Sequence, residues 1–449
     1  VAAEGQAVRS SARSIPVCAK VDLVVVGGNE GGIAAAWAAA ESGSSVLLVN
    51  GNYFFSDDVA AKARYWLEKD EIPQGQFAKS LVEGITSGKS SEIVPAIYKR
   101  RIEQLLLDAG VRFQFNSRPV GLLVDGAGDA AGVVVANKAG LQAVVAKMVI
   151  DATPTAALAR MAGAETTPWP DEQVTVSRTF YGGDVPHACV RGNFRELSLE
   201  VSMPQGSWPE RCRAEVALRE AYNRVDARRA HAHTMHMIEP VSIVSISEQE
   251  DASWKGGDSL DISRGCPKGV ANVYVVSQAA DVPRGWAEKL TRPVHLADWG
   301  ERVGHAAHQA AAARNMPSDV SVKTMPDAAA ILGLDVAELL DGCRAYSTTD
   351  LGTVPQAETA VPVWASYDVI VVGGGTAGMP AAMGAANHGA KVLVIEMFGL
   401  IGGNRELGTA SYWKGYPYGY NQFGSVASKW RAADAFEAAC LLRCMPPPA

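Results

Sequence analysis

Residues 367–378 read YDVIVVGGGTAG, and residues 21–32 read VDLVVVGGNEGG. Each is a run suited to a buried strand that meets glycines at once. An Ala-rich helix is expected after both, over Ile33–Glu41 and Met379–His388, and then a second apolar strand, Ser45–Val49 and Lys391–Ile395. Strand, glycine turn, helix and parallel strand within about 30 residues make a βαβ unit. The copies lie 346 residues apart (Tyr367 against Val21) with the same internal spacing, so one element of the fold is present twice.

A helix start offers free backbone N–H groups and the positive end of a dipole to a phosphate. Glycines permit the tight turn, the close approach of a pyrophosphate and the packing of helix on strand. The second copy has the complete pattern: Gly373, Gly374, Gly375, Thr376, Ala377 and Gly378. Glu396 stands 23 residues after Gly373, at the end of the next strand, where a carboxylate can bind ribose hydroxyls.

The first copy departs from that pattern. Gly27, Gly28 and Gly32 remain, but the middle glycine is Asn29, whose side chain is expected where pyrophosphate would lie. Asn50 takes the place of Glu396 and carries no charge. Glu30 is expected to add a negative charge that repels phosphates. The reading is a retained fold with a weakened or lost nucleotide site.

Between the copies, Glu92–Ala109 has a helical period that Gly110 should stop. A short helix is expected around Val59–Leu67. Strands are expected at Val111–Phe115, Pro119–Leu123, Gly132–Ala136 and Gln142–Met148, an antiparallel meander, with a buried strand at Lys147–Asp151. Further helices are read at Arg211–Arg229, Asp298–Ala313, Asp335–Leu340 and Ser428–Ala449.

These residues resemble the FAD-dependent oxidoreductases of the glutathione-reductase superfamily. The resemblance rests on Val21–Val49, the Gly110–Phe113 strand start, the meander, and Ile150-Asp151-Ala152-Thr153, and covers most of residues 21–325. Val303–Ala307 is similar to the late helix whose start faces flavin in that family. Phe398–Gly403, with Gly402 and Gly403, resembles the segment that runs past the ribose toward the flavin. The resemblance implies FAD, with pyrophosphate on the first helix, and implies no particular substrate. Pro154 stands where the family usually has glycine, a third departure in the first lobe beside Asn29 and Asn50.

The formal charge of −7 and the lack of a long basic block argue against a nucleic-acid surface. No run approaches the roughly 18 to 20 apolar residues of a membrane span. A soluble protein is expected, cytoplasmic, or periplasmic if an upstream signal was removed. Seven scattered cysteines without a Cys-x-x-Cys disfavour zinc, a disulfide framework and a disulfide-reductase mechanism. No metal site is expected: His231, His233 and His236 read as a surface or core group. His305 and His308 are candidate proton donors or polar residues on a half-exposed helix, with the second favoured. Tyr412, Trp413, Tyr416, Tyr418 and Tyr420 line a pocket or simply pack.

The expected architecture is α/β, a Rossmann-like three-layer FAD/NAD(P)-binding fold with an antiparallel meander and an inserted lobe, plus a second partial βαβ unit. The divisions read as a polar arm (1–20), a core (21–164), an inserted or substrate lobe (165–295), a return to the core (296–344), a linker (345–366) and the second unit (367–449). The second unit is expected to be completed by a partner chain or a missing C-terminal segment. The expected function is an FAD-dependent oxidoreductase acting on an unidentified small molecule. The alternatives are a non-catalytic lobe that serves structure or holds a partner, and an NAD(P)-binding module.

Overall fold

Strand Arg13–Val26 organises the sheet. Its first half buries alternate residues (Ile15, Val17, Ala19), whereas Leu23, Val24, Val25 and Val26 are all buried. That change marks a strand that leaves a one-sided sheet and enters one covered on both faces. The computed structural model describes residues 6–85, 92–166, 173–181, 189–191, 194–202, 232–233, 253–323, 330–336, 351–363, 365–375 and 377–396.

In the covered part, Leu23–Val26 runs parallel to Val46–Val49 on one side and to the end of Gly140–Asp151 on the other. Arg112–Gln114 and Val273–Val275 extend this parallel sheet at its two edges. The start of Gly140–Asp151 instead pairs antiparallel with Ala130–Asn137, which pairs with Arg118–Val124. The meander is therefore an extension of the strands that carry the parallel sheet. A smaller apolar cluster of Ile15, Val17, Leu123, Val134, Val145 and Val354 holds that end together.

Helix Glu30–Glu41 follows the first strand because Asn29 caps it and alanines fill it. It crosses the helix Pro293–Ala312 at very short range. A Cβ on Gly300 would lie 2.2 Å from Gly31 O, and one on Gly304 2.4 Å from Ala35 O. Only residues without side chains allow that approach. Helix Pro95–Asp108 starts with proline at its first position and ends before Gly110, as its period indicated.

Several expectations are corrected. Gln142–Met148 and Lys147–Asp151 are one strand, Gly140–Asp151, because it serves both the meander and the parallel sheet. Val59–Leu67 forms turns instead of a helix: Asp58, Lys62 and Arg64 are buried, and Ala63 takes a positive φ of 49°. The arm and linker both contain strands. Thr353–Gln356 pairs with residues 13–16, and Thr359–Pro362 pairs with residues 7–10. Ala330–Val336 is a strand parallel to Gln6–Ser10, where Asp335 was read as a helix start. The late helix begins at Pro293, five residues before the expected Asp298. The readings over 211–229 and 428–449 lie outside the described residues. Among the described residues no helix is long and apolar enough to cross a membrane.

Candidate functional site: two glycine turns

The two βαβ units share hydrogen bonds atom for atom. Gly27 N donates to Val49 O at 2.8 Å, and Gly373 N to Ile395 O at 2.8 Å. Asp22 Oδ2 accepts from Ser45 N at 2.8 Å, and Asp368 Oδ2 from Lys391 N at 2.7 Å. Both turns open on a glycine with positive φ, 114° at Gly27 and 97° at Gly373. The last glycine of each allows helix on strand contact. A Cβ on Gly32 would meet Ala152 Cβ at 2.4 Å, and one on Gly378 would meet Gly373 O at 1.8 Å.

The turns differ at the next residue. Gly374 N donates to Glu396 Oε2 at 2.6 Å, so the acid at the strand end faces the turn. Asn50, its counterpart, instead donates from Nδ2 to Phe54 O at 2.8 Å. Gly28 N finds its carboxylate in the following loop, donating to Asp57 Oδ2 at 3.1 Å. Burial pushes the Asp57 carboxyl up to about 6, although the Asn52 amide donates to it at 2.6 Å.

Asn29 corrects an expectation. Its side chain folds inward: Oδ1 accepts from Gly32 N at 2.7 Å, and Nδ2 donates to Ala152 O at 2.8 Å and Val276 O at 2.9 Å. The helix cap is thereby tied to the ends of two parallel strands, and the side chain does not stand in front of the turn.

Glu30 is a second correction. It is fully buried and accepts from Ser56 Oγ and, at 2.8 Å, from Tyr98 Oη. Burial, aided by the neighbouring charge of Asp58, pushes its carboxyl up to about 7. Burial thus favours the uncharged form of the group expected to repel phosphates.

The late-helix histidines lie at the far end of helix Glu30–Glu41 from its glycine turn. Ser42 Oγ donates to Ala38 O, so the His305 ring must donate to Ser42 through Nδ1, at 3.0 Å. His308 Nδ1 lies 2.8 Å from Ser44 Oγ. Both dock the helix C-terminus, in line with the polar reading of these residues. Asp151 of the Asp-Ala-Thr strand accepts from Thr153, Leu158 and Ala159 and caps the short helix Ala157–Ala162. Thr376, Gly402, Gly403, His231, His236 and the aromatic residues 412–420 lie outside the described residues. Sequence reading missed Asp57, Ser56 and Tyr98. The cue was the pair Asp57-Asp58 in the loop right after a strand that had lost its terminal acid.

The two turns answer differently to a dinucleotide. Among the described residues a Cβ on Gly375 would meet nothing within 4 Å, which leaves space for a phosphate beside Gly374 and Glu396. At the first turn, a Cβ on Gly28 would strike Asn50 Nδ2 at 2.2 Å, and the N–H groups of Ser56 and Asp57 close on Gly28 O at 2.7 and 3.0 Å. Among the described residues the second turn is open to such a group, and the first is covered by its own loop.

A parallel sheet with glycine turns at the strand ends and an antiparallel meander defines the Rossmann-like class that binds dinucleotides. The chain matches the family described as FAD dependent oxidoreductase over residues 22–280 and 368–427, well over half its length, and belongs to that family. It is an FAD-dependent oxidoreductase. A search of curated proteins finds no match. Similar solved structures include a geranylgeranyl bacteriochlorophyll reductase-like protein from Thermoplasma acidophilum (14% identity, TM-score 0.41, 66% of this chain and 79% of that one). Others are the flavin-dependent brominase Bmp2 (12%, 0.41, 66% and 81%) and a flavoprotein/dehydrogenase from Cytophaga hutchinsonii (15%, 0.38, 66% and 80%). The family assignment rests on the sequence match alone.

Proposed function

We propose that this oxidoreductase is a glutathione-reductase-like protein with two tandem dinucleotide-binding units, and that its FAD is held by the second. In this reading the turn formed by Gly373, Gly374, Gly375, Thr376, Ala377 and Gly378 receives the pyrophosphate. Glu396 holds the ribose, and Gly402 and Gly403 carry the chain on toward the flavin. Gly27, Gly28 and Gly32 keep the same geometry in a lobe whose role is structural. Residues 21–164 and 296–344 form that lobe's core, and residues 165–295 form the lobe that meets a small-molecule substrate.

The observation that carries the reading is the Gly374–Glu396 hydrogen bond, with no atom of the described residues within 4 Å of a Cβ on Gly375. Flavin supplies hydride and single-electron chemistry when bound, and the protein's part is to bind and orient it. The helix Gly378–Asn387 turns the positive end of its dipole toward the glycine turn, while Glu396 sits one strand away to take hydroxyls. The test is Gly375→Trp in the full chain. Its indole would fill the phosphate space, so FAD binding followed by flavin fluorescence quenching should be lost. Unchanged affinity would remove the second turn from the site.

A further inference from the structure

The loop after the first unit's second strand lies directly across its glycine turn. Ser56 N and Asp57 N both donate to Gly28 O, at 2.7 and 3.0 Å, while Gly28 N donates back to Asp57 Oδ2. Three hydrogen bonds therefore converge on one glycine from two adjacent loop residues. The loop is held from behind as well. Phe55 is buried against Phe113 and Phe115, with ring centroids 5.1 and 4.6 Å away. Ser56 takes a positive φ of 81°, a conformation that a residue with a Cβ adopts only when its surroundings impose it. Its hydroxyl donates to Glu30, inside the helix start.

The second unit shows what is replaced. There the Gly374 N–H is met by Glu396 from the strand end, and among the described residues no atom lies within 4 Å of a Cβ on the next glycine. In the first unit the strand-end acid is gone. Its replacement, Asn50, packs over Gly28, and a carboxylate reaches the same N–H from seven residues further on.

We propose that Asp57 is a latch: it supplies from the loop the carboxylate that Asn50 lacks, and in doing so holds residues 50–57 across Gly28 so that the first lobe takes no FAD. The inference concerns the first turn only and stands whether or not the second turn proves to be the FAD site.

Amide hydrogen exchange on the full chain, with and without saturating FAD, tests this for wild type, Asp57→Ala and Asp57→Asn. Alanine removes the acceptor; asparagine keeps an oxygen for the Gly28 N–H. Exchange at residues 27–33 and 54–57 should rise roughly tenfold in the alanine chain and stay near wild type in the asparagine chain. FAD should leave residues 27–33 of the wild type unchanged. Unchanged exchange in Asp57→Ala, or protection of residues 27–33 by FAD in the wild type, overturns the latch. If the alanine chain does not fold, the FAD response of the wild type and asparagine chains decides alone. Protection of residues 373–378 and the bound-flavin spectrum report separately on the second turn, so failure of that site is read apart from failure of the latch.

Discussion

The Tyr98 hydroxyl donates to the Glu30 carboxyl at 2.8 Å in the fully buried space beneath the first glycine turn. Ser56 donates to the same oxygen, and the other carboxyl oxygen, Oε2, is buried with no partner. A carboxyl in such a place favours its protonated form, which is why burial moves it up to about 7. The strand, turn and helix that would cradle a phosphate here enclose an acid instead.

Stability should therefore fall as pH rises. Glu30 is pushed up from 4.5 to about 7 and Asp57 from 3.8 to about 6, so the folded chain binds more protons than the unfolded one between these values. The contribution is complete below about pH 4 and is lost as pH rises through 6 and 7; Glu30 alone accounts for roughly 3 kcal/mol. Urea unfolding from pH 5 to 8 should show the decline. Glu30→Gln keeps the acceptor for Tyr98 and Ser56 and should flatten it. An equally steep profile in that variant would contradict the assignment.

Asn29→Ala should cost about 2–4 kcal/mol, since it removes a helix cap and leaves the carbonyls of Ala152 and Val276 without their donor. Thermal unfolding would show a clear drop in Tm. A loss under about 0.5 kcal/mol would mean that the side chain does not tie the helix start to the strands.

Gly304→Val places a branched side chain where even a Cβ would lie 2.4 Å from Ala35 O. The two helices must separate, at a cost of about 3 kcal/mol or more. Gly384, where a Cβ would meet no atom of the described residues within 4 Å, is the internal control: Gly384→Ala should be neutral or slightly stabilising.

Arg292 donates to Glu71 Oε2 through Nε at 3.0 Å and Nη2 at 2.7 Å, and both side chains are buried. Arg292→Met leaves a buried carboxylate without its counter-charge, held only by the N–H groups of Glu68 and Val294, and should cost about 3–5 kcal/mol. The double variant Arg292→Met with Glu71→Gln should recover a large part of that loss by removing the charge. A strictly additive double variant would mean that the pair is not coupled.

Both βαβ units were legible because their signals are local: apolar runs, glycines at fixed spacing and alanine-rich helices lie within about 30 residues of each other. Gly110 as a helix stop was legible for the same reason. The strands at 353–356 and 359–362 were not. Their pairing partners lie more than 300 residues away, and Pro355 and Pro362 suit an edge strand as well as a linker. At the site, sequence marks which glycines are present but not where a neighbouring side chain turns. Asn29 was read as facing a ligand because position alone does not reveal that two strand-end carbonyls attract its amide. Asp57 was missed because a carboxylate seven residues beyond Asn50 has no meaning until the loop is seen to fold back on Gly28.

The most direct test of the whole account is the visible absorption spectrum of the purified chain after incubation with FAD, with the cofactor released by heat identified by mass. The expected result is a flavin spectrum and about one FAD released per chain, the number a single open glycine turn can hold. A chain that stays colourless would contradict it.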